Sequence, residues 1–213
     1  MDQIVYRVIK KADYKSLENI IVNSFHLDRY VEDEKTLRAW ASLYLQSCLS
    51  EQTYNCVAEC NGKIVGVIMG QATKCYSLLH HIPYLFSTLR FTLCMKFHAA
   101  KSNTNTEDYE KMHQIYHKLL SESTHTYDGV LTLFAVDESY RGYGIGTNLL
   151  THLQSYLKNH QVKRFYLYTD SSCNVAFYDR HNFSCVGNYV LNVSKDEQSS
   201  ELNVFLYEKS ISH

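Results

Sequence analysis

Between residues 131 and 150 an apolar run passes through glycines at 142, 144 and 146 into an amphipathic helix, and few folds have a use for such a junction. The run is Phe134-Ala135-Val136-Asp137-Glu138-Ser139-Tyr140-Arg141-Gly142-Tyr143-Gly144-Ile145-Gly146-Thr147. Glycine opens backbone angles closed to other residues and lets main-chain N–H groups approach a ligand. At a helix start those N–H groups are unpaired, and the helix dipole favours an anion there. Arg141 adds a permanent cation. The pattern predicts a phosphate or pyrophosphate site, although a strand-to-helix turn with glycines for steric reasons alone would show the same spacing.

The rest of the chain predicts a mixed sheet with helices on both faces. Residues 3–9 form a first strand, and Asp13 opens a helix with Leu17, Ile20, Ile21, Val22 and Phe25 at helical spacing. A second helix spans residues 33–49, with Leu37, Trp40, Ala41, Tyr44, Leu45 and Cys48 on one face. The alternating residues 54–60, Asn61-Gly62 and residues 63–69 make a hairpin. Residues 75–127 are helical in character, with a polar break at 102–106. Strands at 130–136 and 164–169 flank a helix at 146–159, a short helix covers 173–180, and two strands at 184–193 and 202–208 are joined by the polar residues 194–200. Strand–helix–strand alternation in the second half requires a parallel crossover, whereas the hairpin is antiparallel.

Several classes are excluded or disfavoured. With 213 residues the chain suits one large domain, or one carrying an insertion. Lys and Arg total 21 against 22 acidic residues, a formal net charge of -1, so a basic nucleic-acid surface is not expected. Seven cysteines, odd in number, scattered and without a CxxC pair, argue against a zinc ribbon or a disulfide framework and suit a reducing cytoplasm. The N-terminus carries no signal-peptide pattern. The most apolar stretch, 76–95, is interrupted by His80, His81, Pro83 and Arg90 and makes a poor membrane span. Of 18 tyrosines, most are ascribed to Tyr-rich strands, although half-polar pockets use them too.

Two phosphate-binding fingerprints fail at the glycine turn. GxGxxG needs glycine where Thr147 stands, and a P-loop needs a lysine that does not follow. Arg141, Gly144 and Gly146 do match Arg-x-x-Gly-x-Gly. Further on comes Asn174-Val175-Ala176-Phe177-Tyr178-Asp179-Arg180-His181-Asn182-Phe183, in which Asn182 stands where a glycine is usual and can take the same left-handed conformation. On these two segments the sequence resembles the GNAT superfamily of acyl-CoA-dependent N-acyltransferases, well over 129–213 and weakly over 1–74. The resemblance implies one domain over 1–213, with a central mixed, mostly antiparallel sheet, and acetyl-CoA as cosubstrate. It also implies that backbone groups of Phe134, Ala135 and Val136 pair with the pantetheine arm, an N–H near Val136 polarising the thioester carbonyl. Main-chain groups of Arg141, Gly142, Tyr143, Gly144, Ile145, Gly146 and Thr147 would hold the pyrophosphate, Asn174 the pantetheine arm, and Phe177 would pack on the cofactor. Tyr178 matches the general acid that protonates the departing sulfur. A base is not identified: Asp128, His125 and Glu59 are candidates, and a water chain could serve instead.

Residues 75–128 exceed an ordinary connection and are expected to form a helical insertion, either a lid over the acceptor side or a dimer contact. His113 and His117 stand four apart but lack the glutamate of HExxH, so no metal site is expected. The acceptor implied is a small-molecule primary amine. Two other readings stand beside it: a non-catalytic acyl-CoA-binding sensor, and acetylation of a protein terminus or lysine.

Overall fold

The computed structural model describes residues 3–27, 33–77, 82, 107–195 and 198–212. In chain order the elements are β1 (Ile4–Arg7), α1 (Tyr14–Ser24), α2 (Glu34–Glu51), β2 (Tyr54–Cys60), β3 (Lys63–Ala72), α3 (Glu107–Glu122), β4 (Gly129–Val136), α4 (Ile145–Asn159), β5 (Arg164–Asp170), α5 (Val175–Arg180), β6 (Ser184–Lys195) and β7 (Gln198–Ser210). They build a seven-stranded sheet in the order β1-β2-β3-β4-β5-β7-β6. Every neighbouring pair is antiparallel except β4 and β5. The Asn61-Gly62 turn has positive φ at both residues, +50° and +78°, as the two-residue hairpin requires.

Helices cover both faces. On one, Leu149, Leu150, Leu153 and Leu157 of α4 pack on Val65, Ile68, Phe165 and Leu167 of the sheet. On the other, Leu17 and Ile21 of α1 and Leu45, Cys48 and Leu49 of α2 cover Val57, Val67, Met69, Leu133 and Ala135. Farther along that second face, Ile115 and Leu119 of α3 pack on Val204 and Leu206 of β7. Helices thus cap β2–β4 and β5–β7 separately, leaving the β4–β5 junction between α2 and α3.

Helix α4 lies so close to the sheet that Gly70 is needed beneath it. A Cβ there would stand 2.6 Å from Leu153 Cδ1 and 3.0 Å from the main-chain oxygen of Val130. Gly70→Ala is therefore expected to destabilise the fold by about 1–3 kcal/mol. Urea unfolding would show this as a lowered midpoint; an unchanged midpoint would refute the close packing.

At the sheet's first edge, Arg7 joins Asp13 (2.7 Å) to Glu59 (2.6 Å). The Arg7 hydrogen bond holds the Asp13 carboxyl below its usual range. The structure lengthens the last hairpin: residues 194, 195 and 198–200, expected as a connection, continue β6 and β7 beyond the end of β5. Strand β1 is shorter than expected, and α5 begins two residues later. Of residues 75–128, expected as a helical insertion, Glu107–Glu122 form helix α3, while residues 78–81 and 83–106, with the polar break at 102–106, lie outside the described residues. No helix among the described residues is long and apolar enough to cross a membrane.

Candidate functional site

Strands β4 and β5 are parallel neighbours, yet they pair only at Gly129–Phe165 and Val130–Tyr166. Both run on, to Val136 and Asp170, so the sheet parts into a wedge beyond Val130. The hydrogen-bond phase of β4 decides which main-chain groups face that wedge. Asp137 N donates to Val65 O at 2.9 Å, which makes 65 and 137 a hydrogen-bonded pair. Antiparallel pairs alternate, so Ala135 opposite Val67 and Leu133 opposite Met69 turn their polar groups toward β3. Phe134 and Val136 turn theirs the other way, into the wedge, while Ala135 faces β3 with its main chain and the α1–α2 core with its methyl.

The glycine turn sits at the far end of β4. Gly142 and Gly144 have φ of +84° and +77°. Gly144 is the N-cap of α4 and brings no side-chain acceptor. The first main-chain bond of the helix runs from Asn148 N to Gly144 O (3.0 Å), which leaves the N–H groups of Ile145, Gly146 and Thr147 without a carbonyl of their own helix. Gly146 lies against two rings: its Cβ would stand 3.2 Å from Phe177 and 3.3 Å from Phe134. Arg141 reaches Glu138 at 3.6 Å and is half exposed, and Tyr143 is exposed. Thr147 Oγ1 is 3.0 Å from His181 Nε2, and His181 Nδ1 is 2.8 Å from Phe177 O. Since a carbonyl only accepts, Nδ1 donates to Phe177 O, and in that tautomer the Thr147 hydroxyl donates to Nε2. The imidazole stacks on Phe177 at 4.1 Å and ties the glycine turn to α5.

Helix α5 opens at Asn174, whose exposed side chain makes no hydrogen bond among the described residues. It ends at Asn182, with φ +58°. Between them Tyr178 points into the protein at 8% exposure, its ring against Phe183 (5.5 Å), Tyr207 (5.7 Å), Phe177 (5.7 Å) and Phe134 (6.4 Å). Its hydroxyl has no hydrogen bond among the described residues. Burial pushes the phenol well above its usual range, with nearby Cys173 and Asp170 adding to the shift. The structure therefore brings Phe134, Val136, Gly146, Phe177 and Tyr178 together around the wedge, with Asn174 at its rim.

The three base candidates are engaged elsewhere. Glu59 on β2 is held by Arg7 of β1, two strands from β4. Both Asp128 oxygens accept from the main chain at Lys163, one of them also from Arg164 N. His125 Nδ1 lies 3.0 Å from Glu208, which also accepts from the Tyr127 hydroxyl at 2.6 Å. The Tyr127 phenol is pushed up to about 12 by burial and by that bond. His117 is exposed on α3, and no group of three potential metal ligands occurs among the described residues.

What sequence reasoning missed lies on the other mouth of the wedge. Tyr166 and Tyr168 on β5, Tyr116 on α3 and Tyr44 on α2 gather there, with Tyr116 and Tyr168 stacked at 4.2 Å and the Tyr168 hydroxyl donating to Tyr116 O. Tyr44 is within electrostatic reach of Cys48, Tyr116 and Cys173. Alternation signals that Tyr166 and Tyr168 share a face; which face stays hidden until the helices are placed.

A sheet parted between two parallel strands, with a glycine turn and unpaired helix N–H groups at one end, offers an extended groove that ends at a place suited to an anion. The acetyltransferase (GNAT) family profile matches residues 15–183, and the chain belongs to that family. Solved structures agree in fold. An N-acetyltransferase from Staphylococcus aureus Mu50 is similar at TM-score 0.55 and 18% identity, covering 99% of each chain. A Pyrococcus horikoshii OT3 protein is similar at TM-score 0.60 and 17% identity over 99% of this chain and 100% of that one. The ribosomal-protein-S18-alanine N-acetyltransferase of Escherichia coli is similar at TM-score 0.51 and 16% identity over 99% and 96%. No curated protein matches the sequence.

Proposed function

We propose that this protein transfers an acetyl group from acetyl-CoA directly to the primary amine of a small-molecule acceptor, with Tyr178 as general acid. The observation that carries the reading is the wedge. Its β4 wall offers the free main-chain groups of Phe134 and Val136, one end meets the unpaired N–H groups of α4, and Tyr178 stands beside it.

The residues present fit acetyl-CoA. The N–H groups of Ile145, Gly146 and Thr147, with the Arg141 cation nearby, suit a pyrophosphate, and the open angles of Gly142 and Gly144 bring the chain around it. Phe134 and Val136 suit an extended amide-bearing arm, as an added strand would, with Ala135 setting their phase between them. Asn174 has a free amide for the same arm, and Phe177 an apolar face. The bound cosubstrate supplies a thioester, whose carbonyl carbon forms a bond to the amine nitrogen as its bond to sulfur breaks.

The chain's own groups do the rest. The main-chain N–H groups turned into the wedge at Phe134 and Val136 are placed to stabilise negative charge on the carbonyl oxygen. Tyr178 gives its proton to the leaving sulfur. Burial keeps that phenol neutral, so the proton is in place for the leaving sulfur. Over the reaction the thiol gains the proton of Tyr178, and the proton lost by the amine, passed through water, restores the phenol. On the acceptor side, the tyrosines of β5, α2 and α3 form a half-polar wall suited to a small amine.

Calorimetric titration with acetyl-CoA is expected to show one saturable site, and thiol release is expected with at least one of a panel of small primary amines. Release with peptide N-termini alone would move the acceptor to proteins. Binding with no release would leave a sensor, and absence of binding would end the reading.

A further inference from the structure

Strand β4 carries one extra residue opposite β3. Leu131 pairs with Gly70 and Leu133 with Met69, so Thr132 is bulged. The bulge also explains why Leu131 packs with α4 while Leu133, two residues on, packs with α1 and α2 on the opposite face. Counting alternation from Leu131, Thr132 points to the face of α1, α2 and α3. Thr132 therefore takes the acceptor side by ordinary alternation, and the bulge brings Leu133 onto the same face beside it.

The surroundings of Thr132 are specific. It lies two residues past Val130, the last residue of β4 paired with β5, and two before Phe134, whose main-chain groups face the wedge. Along a strand each of those steps is roughly 6–7 Å. Its main-chain oxygen is 3.6 Å from Cys48 Sγ, which fixes α2 above it. Its side-chain oxygen Oγ1 is buried and has no hydrogen-bond partner among the described residues. Burying a hydroxyl without a partner is unfavourable, and a valine would fill the same volume without that cost.

We propose that Thr132 Oγ1 receives the acceptor amine, taking a hydrogen bond from one amine N–H and so directing the nitrogen lone pair at the thioester carbonyl. This rests on the acetyl-transfer reading and makes Thr132 a determinant of acceptor use. The hydroxyl can accept from the amine and donate its own hydrogen onward, which a valine cannot do. The neighbouring tyrosine wall then surrounds the acceptor's body while Thr132 holds its reacting end.

The test is steady-state kinetics of the full chain with acetyl-CoA and an accepted amine, comparing wild type, Thr132→Val and Thr132→Ser, with thermal midpoints alongside. Thr132→Val is expected to lower kcat/KM for the amine at least tenfold, to leave the KM for acetyl-CoA unchanged, and to keep or raise the thermal midpoint. Thr132→Ser is expected to restore most of the activity. A valine variant within twofold of wild type for the amine would overturn the proposal while leaving acetyl transfer standing. A serine variant as impaired as the valine variant would also overturn it, by tracing the effect to the lost methyl packing. Wild-type protein that acetylates no amine would remove both proposals together.

Discussion

Tyr178→Phe is expected to lower kcat by about 10²–10⁴-fold, the range a positioned proton donor contributes, while acetyl-CoA still binds and the thermal midpoint stays close to wild type. The argument rests on what the substitution removes. The ring packs against Phe134, Phe177, Phe183 and Tyr207, and phenylalanine keeps all four contacts. Only the hydroxyl is lost, and it holds no partner among the described residues, so no structural bond breaks with it. A core tyrosine present for packing alone would leave the phenylalanine variant fully active. The pH profile adds a second readout. A general acid works protonated, so its activity falls as pH rises through its pKa. Burial moves that pKa well above the ordinary phenol value. No alkaline limb from Tyr178 is therefore expected below the ordinary tyrosine range near about 10. Rapid-mixing kinetics of thiol release, with calorimetry for cosubstrate binding, would separate loss of the acid from loss of the site.

Much of the fold around the candidate site could be read from residue order because each part has a local cause. Asn61-Gly62 and Asn182 take positive φ where the sequence offers the residues that tolerate it. Gly142 and Gly144 do the same beside α4, and the helix follows from the spacing of Leu149, Leu150, Leu153 and Leu157. The wedge had no such local cause. Leu131 to Val136 and Leu167 to Asp170 look like ordinary strand segments, and their separation depends on the helices over each half of the sheet. The bulge at Thr132 was equally hidden, since one extra residue in an apolar run leaves composition and alternation nearly unchanged. The ends of β6 and β7 were missed for the opposite reason: they project past β5, so polar residues there carry no apolar alternation. The base candidates, expected to be more structural than catalytic, each have a partner: Arg7 on Glu59, main-chain N–H groups on Asp128 and Glu208 on His125. Pairing of that kind is a property of the folded chain.

Gly146→Val is expected to weaken acetyl-CoA binding about 100-fold without loss of the fold. Valine is a better helix residue than glycine, and position 146 lies in the first turn of α4, so local propensity opposes unfolding. The Cβ alone would stand 3.2 Å from Phe177 and 3.3 Å from Phe134, both ring edges that can yield slightly. The two γ carbons cannot be placed as cheaply. Those that turn toward the rings push Phe134 and Phe177, which both touch Tyr178; those that turn outward cover the N–H groups at the helix start. Either course costs the anion its close approach. Two hydrogen bonds to a charged group, at about 1.5–3 kcal/mol each, amount to roughly 3 kcal/mol or more, and each 1.4 kcal/mol is about tenfold in affinity. Gly146→Ala makes the comparison informative, since a single methyl demands only a few tenths of an ångström from the rings and is expected to cost several-fold at most. Isothermal titration of both variants with acetyl-CoA, and with coenzyme A lacking the acetyl group, would measure the cradle separately from the chemistry. Valine-variant affinity within threefold of wild type would mean that the anion does not sit on the N-terminus of α4.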